Sequence, residues 1–278
     1  MQIFKTKLEL TRFLSSEKKV KSIGFVPTMG ALHEGHLELI KQSKKECEIT
    51  VCSVFVNPTQ FNNATDLGNY PTTLKEDLLK LENLNCDAVY IPKVDDLYEE
   101  NEKAKEFDFG TLSTTMEGEF RPGHFNGMAT IVEKFFNIIK PTKAYFGQKD
   151  LQQLQIVKTL AKQKNSEIEI IGVPTIREEG GLAMSSRNAL LTTEGRKDAT
   201  LIFECLNYCR ANKNKGIDFL KSHTKTKFAE NKNFELEYVE FVALNTILPI
   251  TKWEKENENA ICIATYIDGV RLIDNIIL

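Results

Sequence analysis

His33 and His36 stand three residues apart beside two glycines, in the stretch Pro27-Thr28-Met29-Gly30-Ala31-Leu32-His33-Glu34-Gly35-His36. An apolar run, Ser22 to Val26, precedes this stretch, and a helical pattern begins near Leu37. A helix N-terminus offers free backbone N–H groups and the positive end of its dipole, and Gly30 and Gly35 let the backbone approach an anion closely. The expected chemistry is capture of a nucleotide phosphate at this corner. Two imidazoles on one face of the first turn would donate hydrogen bonds to charge developing on phosphate oxygens. Zinc is excluded by spacing, because the metalloprotease pattern needs histidines four apart with an intervening Glu. A Walker loop is excluded because no Gly-Lys-Ser/Thr closes the turn.

The elements that must position these groups alternate between strand and helix. Leu8, Leu10, Phe13 and Leu14 predict an opening helix, followed by a strand at Ile23-Gly24-Phe25-Val26 and, after the histidine loop, a helix carrying Leu37, Ile40 and Cys47. Ile49 to Val56 is a nearly continuous β-branched run of the kind buried on both faces of a parallel sheet. Asn57-Pro58-Thr59-Gln60-Phe61 breaks that strand at its carboxyl edge, where open α/β sheets place ligands. Leu74, Leu78, Leu81 and Leu84 mark a further helix, Ala88 to Ile91 a strand, and residues 95 to 106 a solvated acidic and lysine-rich segment. A second glycine-rich loop, Glu117 to Phe125, opens a helix with Val132, Phe135, Phe136 and Ile139 on its core side, ended by Pro141. Lys143 to Phe146 is a strand, Gly147-Gln148-Lys149-Asp150 a turn, Leu151 to Leu160 a helix, and Ile168 to Ile171 a strand. The alternation predicts a doubly wound parallel sheet, Rossmann-like, over residues 1–173.

The rhythm changes after Gly172. Ile176 to Gly181 reads as a turn, Leu182 to Asn188 is small, polar and basic, and helical stretches follow near 193 to 212 and 214 to 230. Period-two strands at Leu236 to Val242 and Ala260 to Ile267 lead to an Asp268-Gly269 hairpin signal. Residues 174–278 are therefore expected to form a smaller α+β domain, hinged near 172 to 175.

Lys and Arg number 36 against 39 Asp and Glu, a net charge of −3 that offers no general attraction to nucleic acid or membrane. The expected partner is a small molecule. Six cysteines lie scattered with no C-x-x-C, which predicts reduced, buried thiols in a cytoplasmic protein. No apolar run nears the length of a membrane span, and the start lacks a signal-peptide core.

His33-Glu34-Gly35-His36 resembles the H-x-G-H motif of the nucleotidyltransferase superfamily, and Met184-Ser185-Ser186-Arg187 resembles its second, K-M-S-K-S-like motif. Five stretches taken together resemble the pantothenate synthetases, or pantoate-β-alanine ligases, over nearly the whole chain. They are Pro27 to Gly30, Phe55 to Phe61, Arg121 to Phe125, Phe146 to Gln153 and Leu182 to Asn188. The resemblance implies a two-step ligation. The pantoate carboxylate attacks the α-phosphate of ATP and pyrophosphate leaves; the amine of β-alanine then displaces AMP from the pantoyl adenylate. A carboxylate is already ionised at neutral pH, so the first step needs positioning and charge stabilisation and no general base.

By matching position, the resemblance makes His33 and His36 phosphate-binding histidines and puts ATP against Met29, Gly30, Ala31, Leu32, His33, Glu34, Gly35 and His36. It sets Lys149, within Gly147, Gln148, Lys149 and Asp150, on the phosphates. Arg187 with Met184, Ser185 and Ser186 would close over them, and Ile176 would line the adenine site through its backbone. Gln60 and Gln153 match pantoate-binding glutamines, whose amides suit hydroxyl and carboxylate oxygens without adding charge. The implied chemistry also calls for Mg²⁺, held mainly by phosphates, with Asp77 as the candidate protein ligand and a surface carboxylate as its plain alternative. Relatives of this kind are usually homodimers. Gln148, Thr72 and Thr59 depart from residues frequent in the family at those positions, none of them a group asked to bear phosphate charge. Two other functions stay open on the sequence: another nucleotidyltransferase that adenylates a different small acid, and a nucleotide-binding regulator without catalysis.

Overall fold

The computed structural model describes residues 1–16, 22–61, 67–254 and 258–278. The chain divides into two compact units. Met1–Phe109, Arg121–Gln148 and Ile156–Pro174 make the first, and Gly110–Phe120, Lys149–Gln155 and Thr175–Leu278 the second. A single cut after residue 173 was expected; instead two short segments, 110–120 and 149–155, group with the C-terminal part.

The first unit is a six-stranded parallel sheet in the order β1-β4-β3-β2-β5-β6, made of Gln2–Phe4, Ala88–Tyr90, Ile49–Val54, Ile23–Thr28, Lys143–Gly147 and Glu169–Val173. β1 was not expected; three residues are too few to show a period. The chain adds strands on one side of β2 and then crosses to the other, so the order reverses between β2 and β5, the topological switch point where such sheets bind ligands.

Alternate residues of the central strands bury opposite faces. Val26, Cys52, Val89 and Tyr145 form a cross-strand row under helices α2 (Glu34–Glu46) and α3 (Leu74–Asn83), through Leu37, Ile40 and Leu81. Helix α1 spans Lys7–Ser16, and a four-residue helix, α4, spans Val94–Leu97. On the other face Phe135 of a long helix, His124–Ile139, meets Phe25, Tyr90 and Phe55 edge to face at 5.5, 6.0 and 6.3 Å. That helix is α6, after the short α5 (Glu117–Phe120), and left-handed Lys140 ends it ahead of Pro141. The segment 95–106 is less solvated than its charge suggests, because it contains Leu97 and Tyr98, 6% and 7% exposed. The Tyr98 hydroxyl donates to Asn57 Oδ1 at 2.8 Å.

In the second unit the antiparallel strands β7 (Phe234–Ala243), β8 (Asn259–Ile267) and β9 (Val270–Ile277) form a sheet with β8 in the middle. Its apolar side packs against α9 (Thr200–Ala211) and α10 (Ile217–Glu230) through Ile202, Leu206, Leu220, Phe228, Val239 and Ile263. The stretch expected as one helix from 193 to 212 is two, α8 (Thr193–Asp198) and α9, meeting at Ala199. Helix α7 covers Leu151–Gln163. All six cysteines are buried free thiols, and among the described residues no helix is long and apolar enough to cross a membrane.

Candidate active site

The loop from β2 to α2 is built by groups that hold its backbone open. Thr28 Oγ1 donates to Ser53 O at 2.7 Å and accepts from Gly30 N at 3.2 Å. Gly30 and Ala31 then turn the chain with φ of 84° and 50°, the left-handed region where glycine is at ease and alanine is not. Successive N–H groups in such a turn converge on an anion. Here the anion is Asp77 of α3, which accepts from Ala31 N at 2.9 Å, Leu32 N at 2.7 Å and Thr73 Oγ1 at 3.1 Å. One turn on, Lys80 Nζ donates to Leu32 O at 2.5 Å.

The N–H groups of Ala31 and Leu32 are thus given to a side chain of the protein itself, and one expectation changes. Asp77, expected on the surface or on a metal ion, is 1% exposed with three donors on its two oxygens. Asp77, its two oxygens already engaged by three donors and closed to solvent, does not fit the role of a Mg²⁺ ligand.

His33 is the N-cap of α2. Its extended backbone lets Nδ1 accept from Gly35 N at 3.1 Å, while His36 Nδ1 accepts from His33 N at 3.4 Å, a reciprocal capping box made of imidazoles. The rings lie 4.0 Å apart and tilted by 35°. A neutral imidazole whose Nδ1 accepts carries its proton on Nε2. The hydrogen-bond pattern thus assigns both rings the same tautomer, each with Nε2 as donor.

Gln60 stands at the end of the 3₁₀ turn Pro58–Gln60 that follows β3, and is 8% exposed. Asn57 Nδ2 donates to Gln60 Oε1 at 3.3 Å and to Gly127 O at 3.1 Å, and the Gln60 amide nitrogen meets Met29 Sδ. His124 Nδ1 lies 2.8 Å from Gln60 O and its Nε2 3.2 Å from Arg121 Nη1. Because Arg can only donate, Nδ1 of His124 carries the proton, opposite to His33 and His36. The first unit therefore brings Met29, His33, His36 and Gln60 to one end of its sheet, beyond the carboxyl ends of β2 and β3.

The second unit holds the rest. Lys149 lies in the 3₁₀ turn Gln148–Asp150, two residues beyond β5, with Nζ 3.5 Å from Asp150 Oδ1. Asn275 Nδ2 donates to Lys149 O at 2.7 Å. Of the adjacent glutamines, Gln152 is spent on scaffold, since it donates to Leu112 O and Thr115 O and accepts from Glu117 N. Gln153 is only half-buried. Ile176 to Met184 is a small hairpin closed by Met184 N to Ile176 O at 2.9 Å and Glu178 N to Leu182 O at 2.8 Å, with Gly180 and Gly181 at its left-handed tip. Arg177 anchors it on Asp274, at 2.5 and 3.0 Å. Burial pushes the Asp274 carboxyl up, and Arg177 offsets part of that rise. Ser185 caps the turn that follows, its Oγ accepting from Arg187 N at 3.2 Å.

Sequence reasoning named the Asn57 to Phe61 stretch but gave Asn57 no role of its own, and it gave none to Tyr98, Lys80 or Glu178. The one signal available was Asn57 between a buried strand and Pro58; the others look like ordinary surface residues until the fold places them.

The family model described as Pantoate-beta-alanine ligase matches residues 2–277. The pantothenate synthetase of Azobacteroides pseudotrichonymphae is 49% identical over 279 residues, covering 99% of both chains, and that of Cytophaga hutchinsonii is 43% identical, covering 98% of both. The crystal structure of pantothenate synthetase from Thermus thermophilus superimposes with a TM-score of 0.93 at 36% identity, covering 99% of both chains. A pantoate-beta-alanine ligase from Francisella tularensis, solved in complex with beta-gamma ATP and beta-alanine, superimposes with a TM-score of 0.83, also at 36% identity, covering 99% of this chain and 97% of that one. On sequence over its whole length and on fold alike, the chain belongs to the pantoate-beta-alanine ligase family, ligases that form a carbon–nitrogen bond.

Proposed function

We propose that this chain condenses (R)-pantoate with β-alanine at the expense of ATP, through a pantoyl adenylate. A pantoate carboxylate oxygen attacks the α-phosphorus and the bond to pyrophosphate breaks. The β-alanine nitrogen, as the free amine, then attacks the acyl carbon, AMP leaves with the electron pair of the carbon–oxygen bond, and the nitrogen gives up one proton to solvent. The observation that carries this reading is the reciprocal cap of His33 and His36, whose Nδ1 atoms accept backbone N–H groups at their own helix start, at the switch point of the sheet, which assigns each Nε2 as a donor. Donors fixed in place before the reaction stabilise charge as it gathers on phosphate oxygens, without reorganisation cost.

In this reading Gln60 and Gln153 bind pantoate, and Lys149 and Arg187 carry countercharge for the phosphates. Ile176 and Met184 contribute backbone to the adenine site. Mg²⁺ bound with the triphosphate would be held mainly by phosphate oxygens and would supply countercharge there. Six buried, unbridged thiols suit a reducing cytoplasm, and the working form is a homodimer, which light scattering of the purified protein would test. The deciding experiment is pyrophosphate release from ATP on adding pantoate alone, then AMP release on adding β-alanine. Release with some other acid and none with pantoate would overturn the proposal.

A further inference from the structure

We infer that Asp77 is a positioning residue for adenylation, acting through the Gly30–His33 backbone together with Lys80. This inference rests on the function proposed above for the two histidines. A carboxylate that is 1% exposed must have its charge met by donors, and Asp77 takes them from within the first unit: two consecutive backbone N–H groups and the Thr73 hydroxyl. The N–H groups belong to Ala31, held left-handed, and Leu32, whose carbonyl takes the Lys80 ammonium. Both peptide groups flanking Leu32 are thus gripped by side chains three residues apart on one face of α3, one negative and one positive.

The next residue is His33, whose backbone N–H fixes Nδ1 of His36 and whose own ring caps α2. A shift of the Leu32 peptide moves the N-cap, and with it both rings. The path from carboxylate to imidazole is two hydrogen bonds and one residue long. Mg²⁺ keeps several of its waters and needs oxygen ligands at about 2.1 Å in near-octahedral array. A carboxylate with almost no solvent face and three donors in place offers a hydrated ion no space and at most one lone-pair site. Gly30 bounds the same corner: a Cβ there would meet Asp77 Oδ2 and Val54 Cγ1, each at 3.2 Å.

Single-turnover adenylation as a function of Mg²⁺, read with the ¹⁵N resonances of the His33 and His36 rings, tests this in wild type, Asp77→Asn and Lys80→Met. Asn presents one acceptor and one donor where two N–H groups expect two acceptors. A misplacement of about an ångström costs on the order of a hundredfold in rate. The expected result for Asp77→Asn is a rate loss of that size, a Mg²⁺ midpoint within about twofold of wild type, and altered Nδ1 resonances of both histidines. Lys80→Met, which leaves the buried carboxylate paired, is expected to change rate and resonances in the same sense by a smaller factor, and stands in if Asp77→Asn does not fold. A Mg²⁺ midpoint raised tenfold, with the rate recovered at high Mg²⁺, would make Asp77 a metal ligand and overturn the inference. Unchanged ring resonances in both variants would overturn it too. Wild-type protein that adenylates nothing would sink the proposed function, while the ring resonances would still report whether Asp77 sets the loop.

Discussion

Gly127 on α6 packs directly on the backbone of Thr59: a Cβ built there would stand 2.0 Å from the Thr59 carbonyl oxygen and 2.7 Å from the Gln60 Cα. Only glycine allows the helix to approach the Pro58–Gln60 turn this closely, and the approach is stitched by Asn57, which bonds both Gly127 O and Gln60 Oε1. Gly127→Ala must push helix and turn apart, at a stability cost of about 1–3 kcal/mol for overpacking. Because the displaced turn carries Gln60, the KM for pantoate should rise about tenfold or more while that for ATP stays near wild type. Steady-state kinetics with each substrate varied, beside a urea titration, would check both parts. Equal changes in the two KM values would remove Gln60 from the pantoate site.

Glu178 joins the hairpin to the Ser185–Arg187 turn. Its Oε1 accepts from Asn188 Nδ2 at 2.7 Å and its Oε2 from Arg196 Nε at 2.7 Å, while Asn188 Nδ2 also donates to Ala183 O at 3.0 Å. Asn188 is 3% exposed and its Oδ1 is buried without a hydrogen-bond partner among the described residues. Asn188→Asp would set two carboxylates in contact in a buried place, whereas Asn188→Ala only deletes the link. The expected order of stability is wild type, Ala, then Asp, with the Asp variant at least about 2 kcal/mol below wild type. Both should raise the KM for ATP, because Arg187 directly precedes the link. Thermal unfolding with ATP kinetics would measure this; an Asp variant as stable as wild type would refute the arrangement.

The layered sheet was legible because its cause is local. Runs such as Ile49 to Val56 and the helix pair Leu37 and Ile40 carry burial in their own spacing, so the strand-helix alternation follows; of the expected stripe Leu74, Leu78, Leu81 only Leu81 is fully buried. The histidine corner was legible too, because a glycine turn with two imidazoles at a helix start is an uncommon local combination. Asp77 was not: nothing in Lys75-Glu76-Asp77 separates the buried carboxylate from its exposed neighbour until α3 is laid beside the β2 loop. Tyr98 was hidden for the same reason, an aromatic inside an acidic run. The two segments that group with the C-terminal unit, 110–120 and 149–155, are joined to it by long-range links such as Arg271 to Glu117 and Asn275 to Lys149 O, which no periodicity records.

Removing one imidazole should show in the chemical step. His36→Ala deletes an Nε2 donor and also frees the His33 N–H from its ring acceptor, so the single-turnover adenylation rate should fall by about a hundredfold or more. Lys149→Ala, which removes a positive charge and leaves the α2 cap in place, should fall on the same scale. Rapid-quench measurement of pyrophosphate in the first turnover separates this from slow product release. A rate within a few-fold of wild type for either variant would refute the role assigned to it.

Glu133 gives the first unit an acid-sensitive contact. Its carboxylate, 9% exposed, sits between the ammonium groups of Lys105 and Lys164, the latter at 2.7 Å. Burial works to raise its pKa, and the hydrogen bonds and charges of the two lysines outweigh burial, so the folded value lies below the ordinary 4.5. A carboxyl lowered on folding binds its proton less readily in the native state than in the unfolded chain. Its contribution is therefore complete above the ordinary carboxylate range and is lost as pH falls through the lowered folded value. Both lysines are half exposed, so the contribution is discounted to about 1 kcal/mol. Glu133→Gln should lower the urea midpoint at pH 7 by the equivalent of that energy and have progressively less effect below pH 4. Denaturant titrations of the two proteins from pH 7 to pH 3 would show the curves converging on the acid side; a gap that stays constant would mean that shape and not charge makes the contact.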